Sequence, residues 1–119
     1  MTYFARLAQE RTPKLIGVLG YDGVAALDLT GPLEALTSAQ HPGEASAPLC
    51  YRPIIVGLTN KSFTSESGLH FKADVAAEAT PTFDTIIIPG GKGLRQTETR
   101  QLTARWLNSQ AGKTRRIAS

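Results

Sequence analysis

Two acids, a glycine-rich turn, a tyrosine and one thiol are the residues of this sequence whose types and spacing could do chemistry. Asp28 and Glu34 stand six residues apart in DLTGPLE, a spacing that does not place them on one helix face. An acid at a helix N-terminus ordinarily serves as a cap or dipole partner, and either acid could instead orient a ligand. Pro89-Gly90-Gly91-Lys92-Gly93 follows a run of three isoleucines. Adjacent glycines let the backbone approach a reacting group closely, so that their N–H groups can face a developing oxyanion. The same residues would serve equally well as a tight strand-to-helix turn. They are not a phosphate loop, because Gly93 rather than Ser or Thr follows Lys92.

The remaining reactive types read as structural. His41 and His70 have no partner at metal-ligand spacing and are expected at the surface, so neither a metal nor a cofactor is expected. Cys50 precedes an apolar strand rather than a strand-to-helix elbow, which suits a packed thiol better than a nucleophile.

The elements that must position these groups alternate. Met1 to Lys14 is polar and irregular and is expected to be a short leader to a domain over residues 15–119. Leu15 to Gly20 (LIGVLG) reads as a strand buried on both faces, followed by Tyr21-Asp22-Gly23 as a turn. Asp28 to Gln40 reads as a helix with Thr30 as N-cap, Pro32 in its first turn, and Leu29, Leu33 and Leu36 as its apolar stripe; His41-Pro42-Gly43 would stop it. Tyr51 to Leu58 is a second buried strand, Thr59 to Phe71 a turn and a short extended excursion, and Ala73 to Ala79 weakly helical. Phe83 to Pro89 is a strand, Leu102 to Ala111 an amphipathic helix with Leu102 and Trp106 one turn apart, and Arg115 to Ser119 a further strand. Such alternation predicts an α/β domain with a mostly parallel sheet. In open α/β sheets ligands bind beyond the carboxyl ends of the strands. That rule selects the loop with Tyr21, Asp22, Asp28 and Glu34, and the loop with Gly90 and Gly91, as the binding region.

Composition narrows the class. With 119 residues the chain is at most one small domain, and four or five candidate strands make a sheet incomplete on its C-terminal side. The net charge of +3 has its basic excess late, at Arg95, Arg100, Arg105, Lys113, Arg115 and Arg116. No stacking aromatics or helical reader accompany it, so a solvated helix face is expected rather than a DNA surface. No stretch is apolar enough for a membrane span, no signal peptide is evident, and the single cysteine excludes an internal disulfide; the expected location is the cytoplasm.

Taken in order, LIGVLGYDGVAALDLTGPLEAL, YRPIIVGL, SESGLHFKAD, FDTIIIPGGKGLR and WLNSQAGKTRRIAS resemble the opening half of a ThiJ/PfpI (class I glutamine amidotransferase-like) domain. The Leu-Asp-Leu-x-Gly-Pro-x-Glu segment is especially similar to the branch that holds isonitrile hydratases and the sensor halves of AraC-type transcriptional regulators. The resemblance implies a flavodoxin-like doubly wound fold, usually dimeric. Its nucleophilic cysteine would follow a strand like RRIAS, beyond Ser119. It matches Glu34 to the acid that hydrogen-bonds that cysteine, Asp28 to the acid of isonitrile hydratases, and Gly91 to the oxyanion-hole glycine. No catalysis by this chain alone is then expected. GGKGLR and RRIAS look closer to the regulators, for which the domain would supply homodimerisation and the sensing of a small polar effector through Tyr21, Asp28, Glu34, Gly90 and Gly91. DNA would be contacted only through a separate C-terminal domain. The alternative is part of an isonitrile hydratase-like or related cysteine enzyme.

Overall fold

Apolar strand runs and short connections give a five-stranded sheet in the order β5-β2-β1-β6-β7, every neighbouring pair parallel. A computed structural model of the chain describes residues 12–40 and 49–119; His41 and the stop signal Pro42-Gly43 lie outside them. The strands are β1 (Lys14–Gly20), β2 (Tyr51–Gly57), β5 (Val75–Ala76), β6 (Thr85–Ile87) and β7 (Arg116–Ala118). A separate antiparallel hairpin joins β3 (Ser62–Thr64) to β4 (His70–Lys72). The helices are α1 (Ala26–Ser38) and α2 (Thr97–Gln110), with single 3-10 turns over Ala77–Ala79 and Lys92–Arg95.

β1 is central, and its last five residues are all buried, as a strand covered on both faces requires. Val18, Leu19, Val56, Phe83 and Ile86 form the middle of the core, and Leu29 carries α1 onto it. Leu33 and Leu36 pack at the margin, so the apolar stripe expected of that helix is present. Trp106 anchors α2: its ring is buried and its Nε1–H donates to the Ala77 carbonyl at 3.1 Å.

Three local expectations are corrected. α1 begins at Ala26, with extended Ala25 as N-cap and no side-chain cap. Thr30 is therefore interior and donates its hydroxyl to the Ala26 carbonyl at 2.9 Å. Pro32 lies beyond the first turn, where it removes the donor that would reach the Asp28 carbonyl. Tertiary anchoring sets this early start, because buried Val24 and the bond from Ala25 N to the Gly90 carbonyl fix the chain just ahead of the helix. Asp28, two residues ahead of the N-cap expected at Thr30, sits in the first turn of the helix. Lastly, Ala73 to Ala79 is not helical beyond one 3-10 turn. Asp74 accepts the Ile55 N–H at 2.8 Å and leads β5 into register with β2, so edge pairing overrides alanine propensity.

Gly31 stands in α1 with nothing within 4 Å of where a Cβ would be placed. Gly31→Ala is expected to stabilise the chain by about 0.5–1 kcal/mol, read as a higher urea midpoint at unchanged slope. At the amino end of β6, Asp84 takes both Arg115 Nε (2.9 Å) and Nη2 (3.1 Å). That guanidinium hydrogen bond holds the Asp84 carboxyl below its ordinary 3.8. A depressed carboxyl stabilises the fold above the unfolded value and loses that contribution as pH falls through the folded one. Acid titration of stability below pH about 4 should therefore be shallower in Asp84→Asn, by a small amount because Arg115 is exposed.

Candidate functional site

The carboxyl ends of β1 and β6 meet where the Tyr21–Asp28 segment passes the 90–93 loop. Pro89 ends the isoleucine strand, and the chain then turns through two glycines into the 3-10 turn Lys92–Arg95. Backbone to backbone, the two segments are nearly in contact. Ala25 N donates to the Gly90 carbonyl (2.9 Å) and Gly93 N to the Gly23 carbonyl (3.0 Å). Gly23 has φ +85°, a conformation other L-residues rarely adopt, and a Cβ there would meet Gly93 backbone at 2.7 Å. A Cβ on Gly91 would lie 2.4 Å from the Gly23 carbonyl oxygen. Glycine is thus required on both sides of the crossing by space, whatever else the loop does.

Tyr21 lies beneath this crossing, 2% exposed, and donates its hydroxyl to the Pro89 carbonyl at 2.5 Å. Burial, with help from the nearby Asp28 and Glu66 carboxylates, pushes its hydroxyl up to about 12. It is a structural donor at any neutral pH, not a proton shuttle. Since the folded value lies above the ordinary 10.0, its contribution is full below pH 10 and is lost as pH rises toward 12. Tyr21→Phe leaves the Pro89 carbonyl unpaired and should cost on the order of 2 kcal/mol at pH 7. Urea unfolding between pH 9 and 12 should also show the variant losing part of the wild-type alkaline destabilisation.

Of the residues singled out from sequence, the structure brings Tyr21, Asp28, Gly90 and Gly91 together. Asp28 Oδ2 stands 3.1 Å from the position a Gly90 Cβ would take, so its carboxylate lies against that glycine. Neither the Gly90 nor the Gly91 N–H donates to another group among the described residues, whereas those of Lys92 and Gly93 are taken. Glu34 is exposed on α1, and its carbonyl accepts from the Thr37 and Ser38 hydroxyls. Asp22, placed in the binding region by its loop, and Glu66, which sequence reasoning missed, also border this crossing. Asp22 Oδ1 accepts the Thr64 N–H (2.9 Å), and Glu66 Oε2 accepts the Lys92 N–H (2.9 Å). Only the turn signal in SESG, with Gly68 at φ +91°, hinted that a tip residue could reach back. His70 is exposed, as expected, with Nδ1 3.1 Å from Thr64 Oγ1.

Cys50 stands at the other end of the sheet. Its carbonyl accepts from Lys14 N at the start of β1, and with Lys14, Tyr51, Asp84 and Arg115 it lines a cavity of about 240 Å³. The seven residues of β1 separate it from the glycine loop, roughly 20 Å at strand rise. No group of three His, Cys, Asp or Glu side chains able to hold a metal occurs among the described residues, and no helix there is long and apolar enough to cross a membrane.

The profile of the DJ-1/PfpI family matches residues 14–119. The chain belongs to that family. Among curated relatives, this DJ-1/PfpI chain is 31% identical over 104 residues to isonitrile hydratase of Pseudomonas putida, a match spanning 87% of this chain and 42% of the hydratase. It is 28% identical over 111 residues to the HTH-type transcriptional regulator GbdR of Pseudomonas aeruginosa, spanning 93% of this chain and 29% of the regulator. The chain therefore spans less than half the length of both. Among solved structures, a ThiJ/PfpI protein of Bacillus anthracis superposes with a TM-score of 0.69 at 19% identity, covering 91% of this chain and 51% of that one. One from Pseudomonas syringae gives 0.65 at 18%, covering 99% and 46%. The α/β fold with its mostly parallel, flavodoxin-like sheet is thereby shared with these proteins.

Proposed function

We propose that this DJ-1/PfpI chain forms the ligand-sensing and dimerisation part of an AraC-type transcriptional regulator and does not catalyse a reaction by itself. One observation carries the reading: Asp28 and two unengaged glycine amides meet at the strand ends, while the lone thiol of the sequence lies at the far end of the sheet. Such a site can hold a small polar molecule between a carboxylate acceptor and backbone donors. It lacks a thiolate to attack one. The likeness to GbdR over 93% of the chain supports the regulatory context. Leu27, 80% exposed on α1, and Leu69, 55% exposed on the hairpin, are among the exposed apolar side chains that a homodimer would have to cover. DNA contact would come from a domain elsewhere in the parent protein, in the cytoplasm.

The likeness to isonitrile hydratase and the position of Asp28 favour a second reading, part of a cysteine-dependent hydratase. A thermal-shift panel of small amides, carboxylates and alcohols, followed by an isonitrile-consumption assay on the product of the whole gene, separates the two. The sensing reading expects saturable stabilisation by one compound, its loss in Asp28→Asn, and a change in DNA affinity caused by that compound. Conversion of an isonitrile to its formamide above the buffer rate would replace it with the hydratase.

A further inference from the structure

Glu66 is not among the acids that the family likeness marks, yet it is the one side chain among the described residues that accepts a hydrogen bond from a backbone N–H of the 90–93 loop. The peptide between Gly91 and Lys92 is held at both ends: its carbonyl accepts from Leu94 N at 3.1 Å and its N–H donates to Glu66 Oε2 at 2.9 Å. Because a peptide unit is planar, fixing both ends fixes its rotation, which the adjoining glycine would otherwise leave free. Glu66 is itself anchored. Its own N–H donates to the Val24 carbonyl (2.8 Å), and Ser65 Oγ accepts the Leu69 N–H across the hairpin tip (3.0 Å).

We propose that Glu66 is a positioning residue of the candidate site: Tyr21 and Ala25 hold the carbonyl ends of the two peptides that carry the Gly90 and Gly91 N–H groups, and Glu66 holds the next peptide, so that the pair stays turned toward a neutral carbonyl ligand beside Asp28. The class follows from charge. Asp28 lies against Gly90 and Glu66 against Lys92, so two carboxylates border the free amides and disfavour an anionic oxygen. A neutral amide supplies an acceptor for the glycines and an N–H donor for Asp28. This inference rests on the reading of the 90–93 loop as the binding site.

The test uses the full 119-residue chain, 15N-labelled, with acetamide as the probe and acetate as the charged comparison. In the wild type, acetamide should shift the Gly90 and Gly91 amide resonances saturably and acetate should not. Glu66→Ala should move those resonances in the free protein, speed exchange of the Lys92 amide, and weaken acetamide about fivefold, the scale of one lost hydrogen bond. Glu66→Gln keeps an acceptor oxygen and should restore all three. Faster Lys92 exchange in Glu66→Ala with the Gly90 and Gly91 resonances and the acetamide titration unchanged would reduce Glu66 to a hairpin staple and overturn the proposal. Acetate shifting the glycines as strongly as acetamide would overturn the ligand class. A wild type silent to acetamide, whose glycine resonances still move in Glu66→Ala, would sink the binding reading and leave the positioning role standing.

Discussion

Phe83→Ala should lower the stability of this chain by about 3–5 kcal/mol, a large share of what a small domain possesses. The side chain is 1% exposed, and its ring lies flat on Gly17, whose missing Cβ would have met ring carbons at 2.7 Å. The ring therefore fills the space that a side chain at position 17 of β1 would take. Truncation leaves a void against β1, a strand hydrogen-bonded to neighbours on both sides, and such a wall collapses poorly. Phe83→Leu should recover more than half of the loss. The check is the urea midpoint of all three proteins at matched slope; a loss below about 1 kcal/mol would mean that the strands close over the void.

Gly93→Ala should cost about 3 kcal/mol, the upper range for overpacking, and on the sensing reading it should abolish ligand binding as well. A Cβ there would sit 2.0 Å from the Asp22 carbonyl oxygen and 3.0 Å from the Tyr21 ring. Neither neighbour can give way cheaply. The Asp22 carboxylate holds Thr64 N, and the Tyr21 hydroxyl holds the Pro89 carbonyl, so relief of the clash breaks one tie of the site or the other. Gly31→Ala is the matched control, since it makes the same chemical change where there is open space. Opposite signs for the two substitutions in one denaturation series would show that crowding, not glycine's entropy, governs position 93.

Sequence and structure agree wherever burial alone decides. LIGVLG, YRPIIVGL and the isoleucine run each supply a strand of the sheet, although β2 is buried only at Val56 and Gly57, with Arg52 exposed. Agreement ends where a distant partner decides. Thr30 and Pro32 look like the start of a helix, yet Ala25 N is already tied to Gly90 and the helix begins earlier. The alanines after Ala73 favour a helix until Asp74 and β2 recruit them as an edge. Half of the site behaved in the same way. Asp22, Asp28, Gly90 and Gly91 are marked in the sequence by type and place, whereas Glu66 is not, and the bonds of Asp22 and Glu66 span 42 and 26 residues that no local pattern encodes.

Those spans also set the order of events when the chain folds. The bonds that define the site close across 26, 42 and 68 residues, whereas the β3–β4 hairpin closes locally. Loop closure favours near contacts first, and sheets built from distant parallel pairings form slowly. A chain with its hairpin formed but β6 not yet docked would present the Asp22 and Glu66 carboxylates without the 90–93 loop. On the sensing reading, occupancy of the site would therefore be a signal available only after the central sheet is assembled, and a molecule bound there would favour the finished fold over every state before it.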